Sequence, residues 1–372
     1  MAEPLKVFFS PALVRRLADD IARVAPDFPA RAFVRRATSG LEQLELLDRG
    51  KHIARALYAH LPPAYPHALA VLMRSLGPEH ASDELVGGGM APFYYLPHTL
   101  IVAEHGLDHF DLSLRAQYEL TKRFTAESSI RPYIARDPER TFAQLVTWAQ
   151  DENPHVRRLV SEGTRLRLPW ASRVAWLDAN PRRVLELLEL LKDDPATVVR
   201  RSVANNLNDL SRDHADLVVE TCRAWRNGDA SSERHALVRH ALRSLVKKGH
   251  RGALAVLGAH AQPKLVVNAA QIAKRVRIGD QLQFAFTLQS TASSTQDLIV
   301  DYAVHFVKAN GTARPKVFKL KRVQLEARSS VELTGRVSFA SMTTRQHYPG
   351  LHRIEVLANG EVFPLAEFEV RA

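Results

Sequence analysis

The sequence of 372 residues contains a single cysteine, Cys222, so no disulfide bond can form within the chain. That scarcity is typical of proteins in a reducing compartment, and we expect a cytoplasmic location. No stretch approaches the roughly 20 apolar residues that a membrane-spanning helix needs. The N-terminus also lacks the basic region and apolar run of a signal peptide. We therefore expect no membrane partner.

Several signatures of catalytic and cofactor sites are missing as well. The sequence has no phosphate-binding P-loop, no glycine-rich dinucleotide motif after a strand and no nucleophile elbow. Its 16 histidines show no spacing typical of metal ligands, and a single cysteine argues against a zinc site. We expect neither a metal nor a cofactor.

Positive charge is what the sequence has in excess. Lysine and arginine number 51 against 40 acidic residues, which gives a net charge of +11 and an isoelectric point of about 9.9. Such a surface attracts polyanions, of which nucleic acid is the commonest. A basic protein without any such partner can have the same composition, so charge alone leaves both interpretations open.

Residues 1–260 have the apolar spacing of successive amphipathic helices, interrupted by a glycine-rich loop at 87–89. A unit of about 40 residues recurs, with an acid–proline start and a Val-Arg-Arg core. "DENPHVRRLVSEGTR" and "DDPATVVRRSVANNLND" show it at a spacing of 43. Helix pairs of this length are typical of HEAT-like repeats, which stack because one pair cannot bury its apolar face alone. We predict an all-α HEAT-like repeat solenoid over 1–260.

Residues 261–372 alternate apolar and polar side chains instead, as in "DQLQFAFTLQS". About seven strands can be counted, with turn signals at Asn310-Gly311 and Asn359-Gly360. Seven short strands in about 110 residues favour an immunoglobulin-like β-sandwich. The predicted fold is therefore multidomain, with the all-α repeat domain followed by an all-β sandwich over 261–372.

Helical phase divides the residues around Asp209 into two faces. Val199, Val203, Leu207 and Leu210 share an apolar arc, and the opposite arc carries Arg201, Asn205, Asn208, Asp209 and Arg212. In the two preceding units, the corresponding phase is occupied by Arg158, Glu162 and Arg165, and by Arg123 and Glu127. The pattern predicts a groove that presents arginines together with three acids.

The two kinds of charge in this groove point to different roles. Arginines at successive repeats suit a phosphate backbone, and we assign DNA contacts to Arg158, Arg165, Arg201, Asn205 and Arg212. The acids can simply pair with arginines at helical spacing, Glu162 with Arg158 and Arg165, and Asp209 with Arg212. Alternatively, a fixed carboxylate can stabilise the positive charge that builds on a sugar when its glycosidic bond breaks.

Trp170 follows the helical unit that contains Arg158, Glu162 and Arg165. Its indole face can stack on a cationic centre, or the side chain can pack in the core. Trp148, Trp176 and Trp225 lie on apolar helical faces, so we expect them in the core.

The sandwich is basic too. Lys316 and Lys319 lie on one lysine-rich strand and Arg345 on a later loop. We expect these three to contact DNA phosphates, although lysines on an edge strand also serve to prevent aggregation.

Several stretches carry a family resemblance, notably "RFTAESSIRPYI", "DENPHVRRLVSEGTRLRLPWA", "DPATVVRRSVANNLNDLSRDHADLV" and "HYPGLHRIEVLANG". They resemble the AlkC branch of the AlkC/AlkD superfamily of DNA alkylation repair glycosylases, along nearly the whole chain. Ala215 occupies a position at which the sequences of this family have proline. The resemblance implies a monofunctional DNA glycosylase that releases cationic alkylated bases, such as 3-methyladenine and 3-methylcytosine, without flipping the base. It also implies that the immunoglobulin-like domain clamps the duplex.

The resemblance assigns roles to four residues. Asp209 takes the role of the catalytic carboxylate, Glu127 and Glu162 match the other acids of the cleft, and Trp170 matches the aromatic side chain beside the sugar. The expected partner is duplex DNA containing alkylated bases, bound by a monomer that is nucleoid-associated when on DNA. The alternative is a non-catalytic repeat scaffold for DNA or protein, which would not require an acid at position 209.

Overall fold

The computed structural model describes residues 5–80, 91–228, 230–259, 262–340 and 346–372. Helices occupy the first part of the chain and strands the last, in the order that the sequence predicts. Packing divides the chain into two compact units, one of residues up to 214 together with 231–241, and one of residues 215–230 together with 242–372. The predicted glycine loop at 87–89 lies outside the described residues. The predicted domain boundary at 260/261 is not tested by this division and stays a prediction.

The described residues form sixteen α-helices: α1 (Pro11–Val24), α2 (Ala30–Thr38), α3 (Leu46–Tyr58), α4 (Tyr65–Arg74), α5 (Leu96–His105), α6 (Phe110–Thr121), α7 (Arg131–Arg136), α8 (Pro138–Trp148), α9 (Pro154–Gly163), α10 (Ala175–Ala179), α11 (Pro181–Leu191), α12 (Thr197–Leu210), α13 (Ala215–Arg226), α14 (Ser232–Ala241), α15 (Arg243–Lys247) and α16 (Arg251–Val256). Short 3-10 helices lie at Leu5–Phe8, Leu41–Gln43 and Ala91–Tyr95. Helices α1–α12 and α14 belong to the first unit, and α13, α15 and α16 to the second. No helix among these residues is both long and apolar enough to span a membrane.

Capping residues set where several helices begin. The Ser10 hydroxyl accepts a hydrogen bond from the Leu13 amide at 3.3 Å, and Pro11 occupies the first position of α1. The Asn153 side chain likewise accepts from the His155 amide at 2.9 Å before α9. Both arrangements satisfy amides that have no partner within the helix.

The repeated helices of the first unit lie side by side. Helix α9 packs against α8 and α12, and α12 packs against α11 and α14. The predicted apolar arc of α12 is fully buried: Val199, Val203, Leu207 and Leu210. Burial of this stripe fixes the rotation of α12, and therefore decides where its polar side chains lie.

The described residues of the second unit form eight strands in two sheets: β1 (Leu265–Ile272), β2 (Arg275–Arg277), β3 (Gln281–Ser290), β4 (Gln296–Val307), β5 (Ala313–Leu325), β6 (Ser330–Ser338), β7 (Gly350–Ala358) and β8 (Glu361–Arg371). The sheet orders are β1-β3-β6 and β2-β8-β7-β4-β5. Among the described residues there is one strand more than the sequence suggests, because residues 263–279, whose alternation predicts a single strand, form β1 and β2. These two pair in different sheets, β2 with β8 in parallel.

Alternating side chains of the two sheets form the sandwich core. Leu282, Phe284, Phe286 and Leu288 of β3 are all buried, as their spacing predicts. The predicted turn between β7 and β8 is also present, since Asn359 and Gly360 have φ angles of 45° and 81°. Both values lie in the left-handed region that a two-residue hairpin turn requires.

Candidate active site

Asp209, near the end of α12, is buried and paired with an arginine of the preceding repeat. Its Oδ2 accepts a hydrogen bond from Arg165 Nε at 2.8 Å, and the two side chains are 6% and 11% exposed. The expected pairing of Asp209 with Arg212 is wrong, since Arg165 is the partner. Helix packing covers Asp209, and the stacking of α9 on α12 brings Arg165 to it across 44 residues of sequence.

Glu162 lies between two arginines, as its helical spacing predicts. Its Oε1 accepts from Arg165 Nη1 at 2.5 Å, and its Oε2 lies 3.7 Å from Arg158 Nη2. The Ser202 hydroxyl of α12 donates to the same Oε2 at 2.6 Å. Burial alone would raise the pKa of Glu162, but the two guanidinium charges and the Ser202 hydroxyl hold that pKa below its ordinary value.

Glu127 extends the same arrangement, but it lies in the turns between α6 and α7, so the helical phase predicted for Arg123 and Glu127 is wrong. Its Oε2 lies 3.0 Å from Arg158 Nη1 and accepts a hydrogen bond from the Thr125 hydroxyl at 2.8 Å. Glu127 is the most open of the three acids, with 21% of its side chain exposed. The three acids that the sequence placed at one phase are thus joined through two arginines.

We call this set, Glu127–Arg158–Glu162–Arg165–Asp209, the acid–arginine row. Its three carboxylates and two guanidinium groups carry a formal net charge of −1. Burial alone would lower the pKa of Arg165, but Glu162 and Asp209 raise it above the ordinary arginine value. The row therefore holds acidic and basic side chains in fixed positions, with one more carboxylate than guanidinium group.

Side chains that the sequence did not single out support the row. Besides Ser202, the Asn206 amide donates to the Ser161 carbonyl oxygen at 2.8 Å and to the Thr164 hydroxyl at 3.1 Å. These contacts join the end of α9 to α12, so they fix the spacing of Glu162 and Asp209. The polar residues Ser202 and Asn206 on the buried side of α12 are the sequence signal that could have revealed them.

Trp170 lies on the loop after α9 and is 66% exposed, so it is not a core residue. Its φ of 63° is left-handed, which is rare for a bulky side chain and costs of order 1 kcal/mol or more. The ring has one aromatic neighbour among the described residues, Phe93, with ring centroids 6.5 Å apart. Trp148 and Trp225 are buried as expected, and Trp176 packs on Phe142.

The remaining predicted contacts of the helical part lie nearer the surface. Arg201 and Arg212 are exposed, and neither forms an ion pair with another described residue. Asn205 is half-buried, and its Oδ1 lies 3.1 Å from His240 Nε2 of α14. By contrast, Arg158 and Arg165 are largely enclosed by the acids they hold.

The predicted phosphate contacts of the sandwich lie on β5, at the edge of the five-stranded sheet. Both Lys316 and Lys319 are exposed there. Arg345 lies outside the described residues. Within the part of the chain that the structure describes, no group of three His, Cys, Asp or Glu side chains is placed to hold a metal ion.

Comparison with known proteins gives two family matches. Residues 124–245 match the model described as DNA alkylation repair enzyme. Residues 266–372 match the model described as the C-terminal Ig-like domain of the uncharacterised protein YhaZ. The immunoglobulin-like character that the strand count predicts is thereby confirmed.

Two full-length relatives are similar to this chain. The uncharacterized protein YhaZ of Bacillus subtilis (strain 168) is 35% identical over 370 residues, which cover 98% of this chain and 99% of that protein. A solved structure, Pseudomonas fluorescens alkylpurine DNA glycosylase AlkC bound to DNA containing an abasic site analog, is 36% identical and covers 100% of both chains with a TM-score of 0.89. This chain belongs to the AlkC-type family of DNA alkylation repair enzymes.

Proposed function

We propose that this protein is a monofunctional DNA glycosylase that hydrolyses the N-glycosidic bond of cationic alkylated bases, such as 3-methyladenine and 3-methylcytosine, in duplex DNA. The observation that carries the proposal is the acid–arginine row, in which three carboxylates are held in place with a net negative charge. The similarity to a glycosylase bound to DNA with an abasic site analog supports the same partner and reaction.

The protonation state of the acids in the row affects which bases can act as the leaving group. Because the pKa of Glu162 is held low, this carboxyl is ionised near neutral pH and cannot act as a general acid. A neutral base leaves poorly without a proton, whereas an alkylated base that already carries positive charge needs none. Glu162 therefore suits cationic lesions, which can be released without a protonation step. That the base is not flipped is part of the proposal and rests on the family resemblance alone.

The role of the acids is electrostatic. Breaking the glycosidic bond builds positive charge on the deoxyribose, and fixed carboxylates stabilise that charge and orient the attacking water. Asp209 is assigned as the principal carboxylate, with Glu162 and Glu127 beside it and Trp170 against the sugar. Arg158 and Arg165 then hold the acids, while Arg201, Asn205, Arg212, Lys316, Lys319 and Arg345 contact the DNA backbone. The enzyme acts as a monomer.

The decisive experiment is base release from methylated duplex DNA, resolved by base, under single-turnover conditions. Asp209→Asn should lower the rate by about 10²–10³-fold, a loss typical of removing one electrostatic group from a preorganised site. Arg201→Gln is the matched control and should alter DNA affinity without lowering the maximal rate. Release by folded Asp209→Asn at the parental rate would refute the assignment, and no release by the parental protein would favour a DNA- or protein-binding scaffold.

A further inference from the structure

The loop that carries Trp170 is tied at both ends by one buried arginine of another helix. Arg131, the first residue of α7, is 4% exposed. Its Nη1 donates to the carbonyl oxygens of Gly163 at 2.9 Å and Arg165 at 2.8 Å. Its Nε and Nη2 donate to the carbonyl oxygen of Ser172 at 3.1 and 2.9 Å. A single guanidinium group therefore fixes the distance between the two ends of the segment 165–172.

Burying this charge carries a desolvation cost that a neutral hydrogen-bond donor would avoid, so simple helix termination does not explain it. Burial lowers the pKa of Arg131 to about 10, although the charge of Asp178 acts to raise it. Among the described residues, its hydrogen-bond acceptors are all main-chain carbonyl oxygens. A charge buried without a carboxylate in contact is costly. Other carbonyls at the end of α9 are satisfied by a neutral hydroxyl, since Thr164 donates to those of Val160 and Ser161 at 2.8 and 3.1 Å.

The segment that Arg131 ties holds an unfavourable conformation. Trp170 combines a left-handed backbone with a side chain that is mostly exposed, so its own packing does little to maintain its position. Such a residue keeps its geometry only where the surrounding structure imposes it. Leu166 and Leu168 anchor the middle of the segment in the core, and Arg131 fixes its ends.

We propose that Arg131 is a positioning residue, which sets the orientation of Trp170 and of the main chain at Arg165 for base release. This inference rests on the proposed glycosylase function for its kinetic part. Its structural part, that Arg131 controls the position of Trp170, stands independently of any activity.

The test combines a spectroscopic signal with kinetics. In protein labelled with 5-fluorotryptophan, the fluorine resonance of Trp170 is assigned with Trp170→Phe. Arg131→Lys keeps the charge but loses the planar fork that reaches three carbonyls. It should shift or broaden the Trp170 resonance and lower the single-turnover rate about 10- to 100-fold, as expected for a small misplacement. The dissociation constant for undamaged duplex should change less than about twofold, because phosphate contacts remain.

A matched control is present in the same unit. Arg49 is also buried, and its hydrogen-bond acceptors among the described residues are likewise main-chain carbonyls, those of Lys6, Phe9, Glu42 and Leu44. Arg49→Lys should lower thermal stability without moving the Trp170 resonance or the rate.

An unchanged Trp170 resonance in Arg131→Lys would overturn the proposal, as would equal shifts in both variants. A shifted resonance with a parental rate would overturn its kinetic part. If Arg131→Lys does not fold, Arg131→Met removes the buried charge and permits the same comparison. If the parental protein releases no base, the proposed function fails, and the fluorine spectra still decide whether Arg131 positions Trp170.

Discussion

The acid–arginine row and strand β5 are both rich in charge, but they differ in sign balance and in burial. In the row, acids and arginines alternate, and each side chain but Glu127 is less than one-fifth exposed. Strand β5 carries five cations and no acid: Arg314, Lys316, Lys319, Lys321 and Arg322. All five are exposed to solvent.

This difference decides what each region can contribute. Buried, paired charges have fixed positions and act strongly over a few ångströms, which suits stabilisation of charge at a reacting atom. Exposed charges of one sign attract a polyanion over a longer range, and salt screens that attraction. The row therefore suits the proposed chemistry, and the β5 edge suits the proposed attraction of DNA.

The largest effect should follow from breaking the row. Arg165→Met leaves Glu162 and Asp209 buried without their shared partner, and should lower the free energy of unfolding by about 3–5 kcal/mol. Arg201→Met, on the exposed side of α12, should change it by less than about 0.5 kcal/mol. Urea unfolding of the three proteins measures both. Equal stabilities for the two variants would mean that the row is held by something other than Arg165.

A smaller effect should follow from removing charge from β5. Lys316→Ala with Lys319→Ala should weaken DNA binding and reduce the slope of log affinity against log salt concentration by about 2. The single-turnover rate at saturating protein should not change, because neither lysine belongs to the row. Affinities measured at several salt concentrations test this.

Arg277→Ala, on strand β2 of the same sheet, provides the matched control and should leave the salt dependence as it is. A salt slope in the double variant equal to that of the parental protein would remove β5 from the DNA interface.

The smallest effect concerns pH, and it has opposite signs in the row and in β4, the strand that pairs with β5. Glu162 has a lowered pKa, so its ionised form stabilises the folded state above about pH 4.5, and that contribution is lost as the pH falls. Asp301, buried in β4, has a raised pKa, chiefly because burial disfavours its charge. Its ionised form therefore destabilises the folded state near neutral pH, and this penalty disappears in acid.

Glu162→Gln should accordingly be less stable than the parental protein at pH 7, and Asp301→Asn more stable. Both differences should shrink as the pH falls from about 7 to about 3.5. Urea unfolding across that range measures them. An Asp301→Asn variant that is less stable than its parent at pH 7 would contradict the assignment.

Sequence pattern predicted the composition of the row but not its connections. Helical phase placed Glu162 and Asp209 on equivalent faces, because burial of the apolar stripe dictates rotation about the helix axis. It was wrong for Glu127, which lies in the turns between α6 and α7. It could not find the partner of Asp209, since Arg165 is distant in sequence and arrives through the packing of α9 on α12. Arg131 had no sequence signal at all, because its acceptors are main-chain carbonyls.

Two other features could not be predicted from the sequence, because they also depend on long-range contacts. Trp170 follows a proline in an irregular segment, where no periodicity distinguishes a core side chain from an exposed one. The alternation of apolar and polar residues through β1 and β2 predicts a single strand, because it indicates which side chains are buried and not which strands pair. Only the formation of the two sheets shows that Ile272 and Val276 belong to different layers.

The row takes three members from α9 and the loop after it, and one each from α12 and from the turns between α6 and α7. The buried apolar stripe of α12 does not depend on these side chains. A lineage could replace Asp209 with asparagine and keep Val199, Val203 and Leu207, which hold α12 in place. The helices would stay packed, but the proposed catalytic activity would be lost. In proteins of this architecture, the buried leucines and valines maintain the inherited fold. A few polar residues carry the catalytic activity, and they can be lost without loss of the fold.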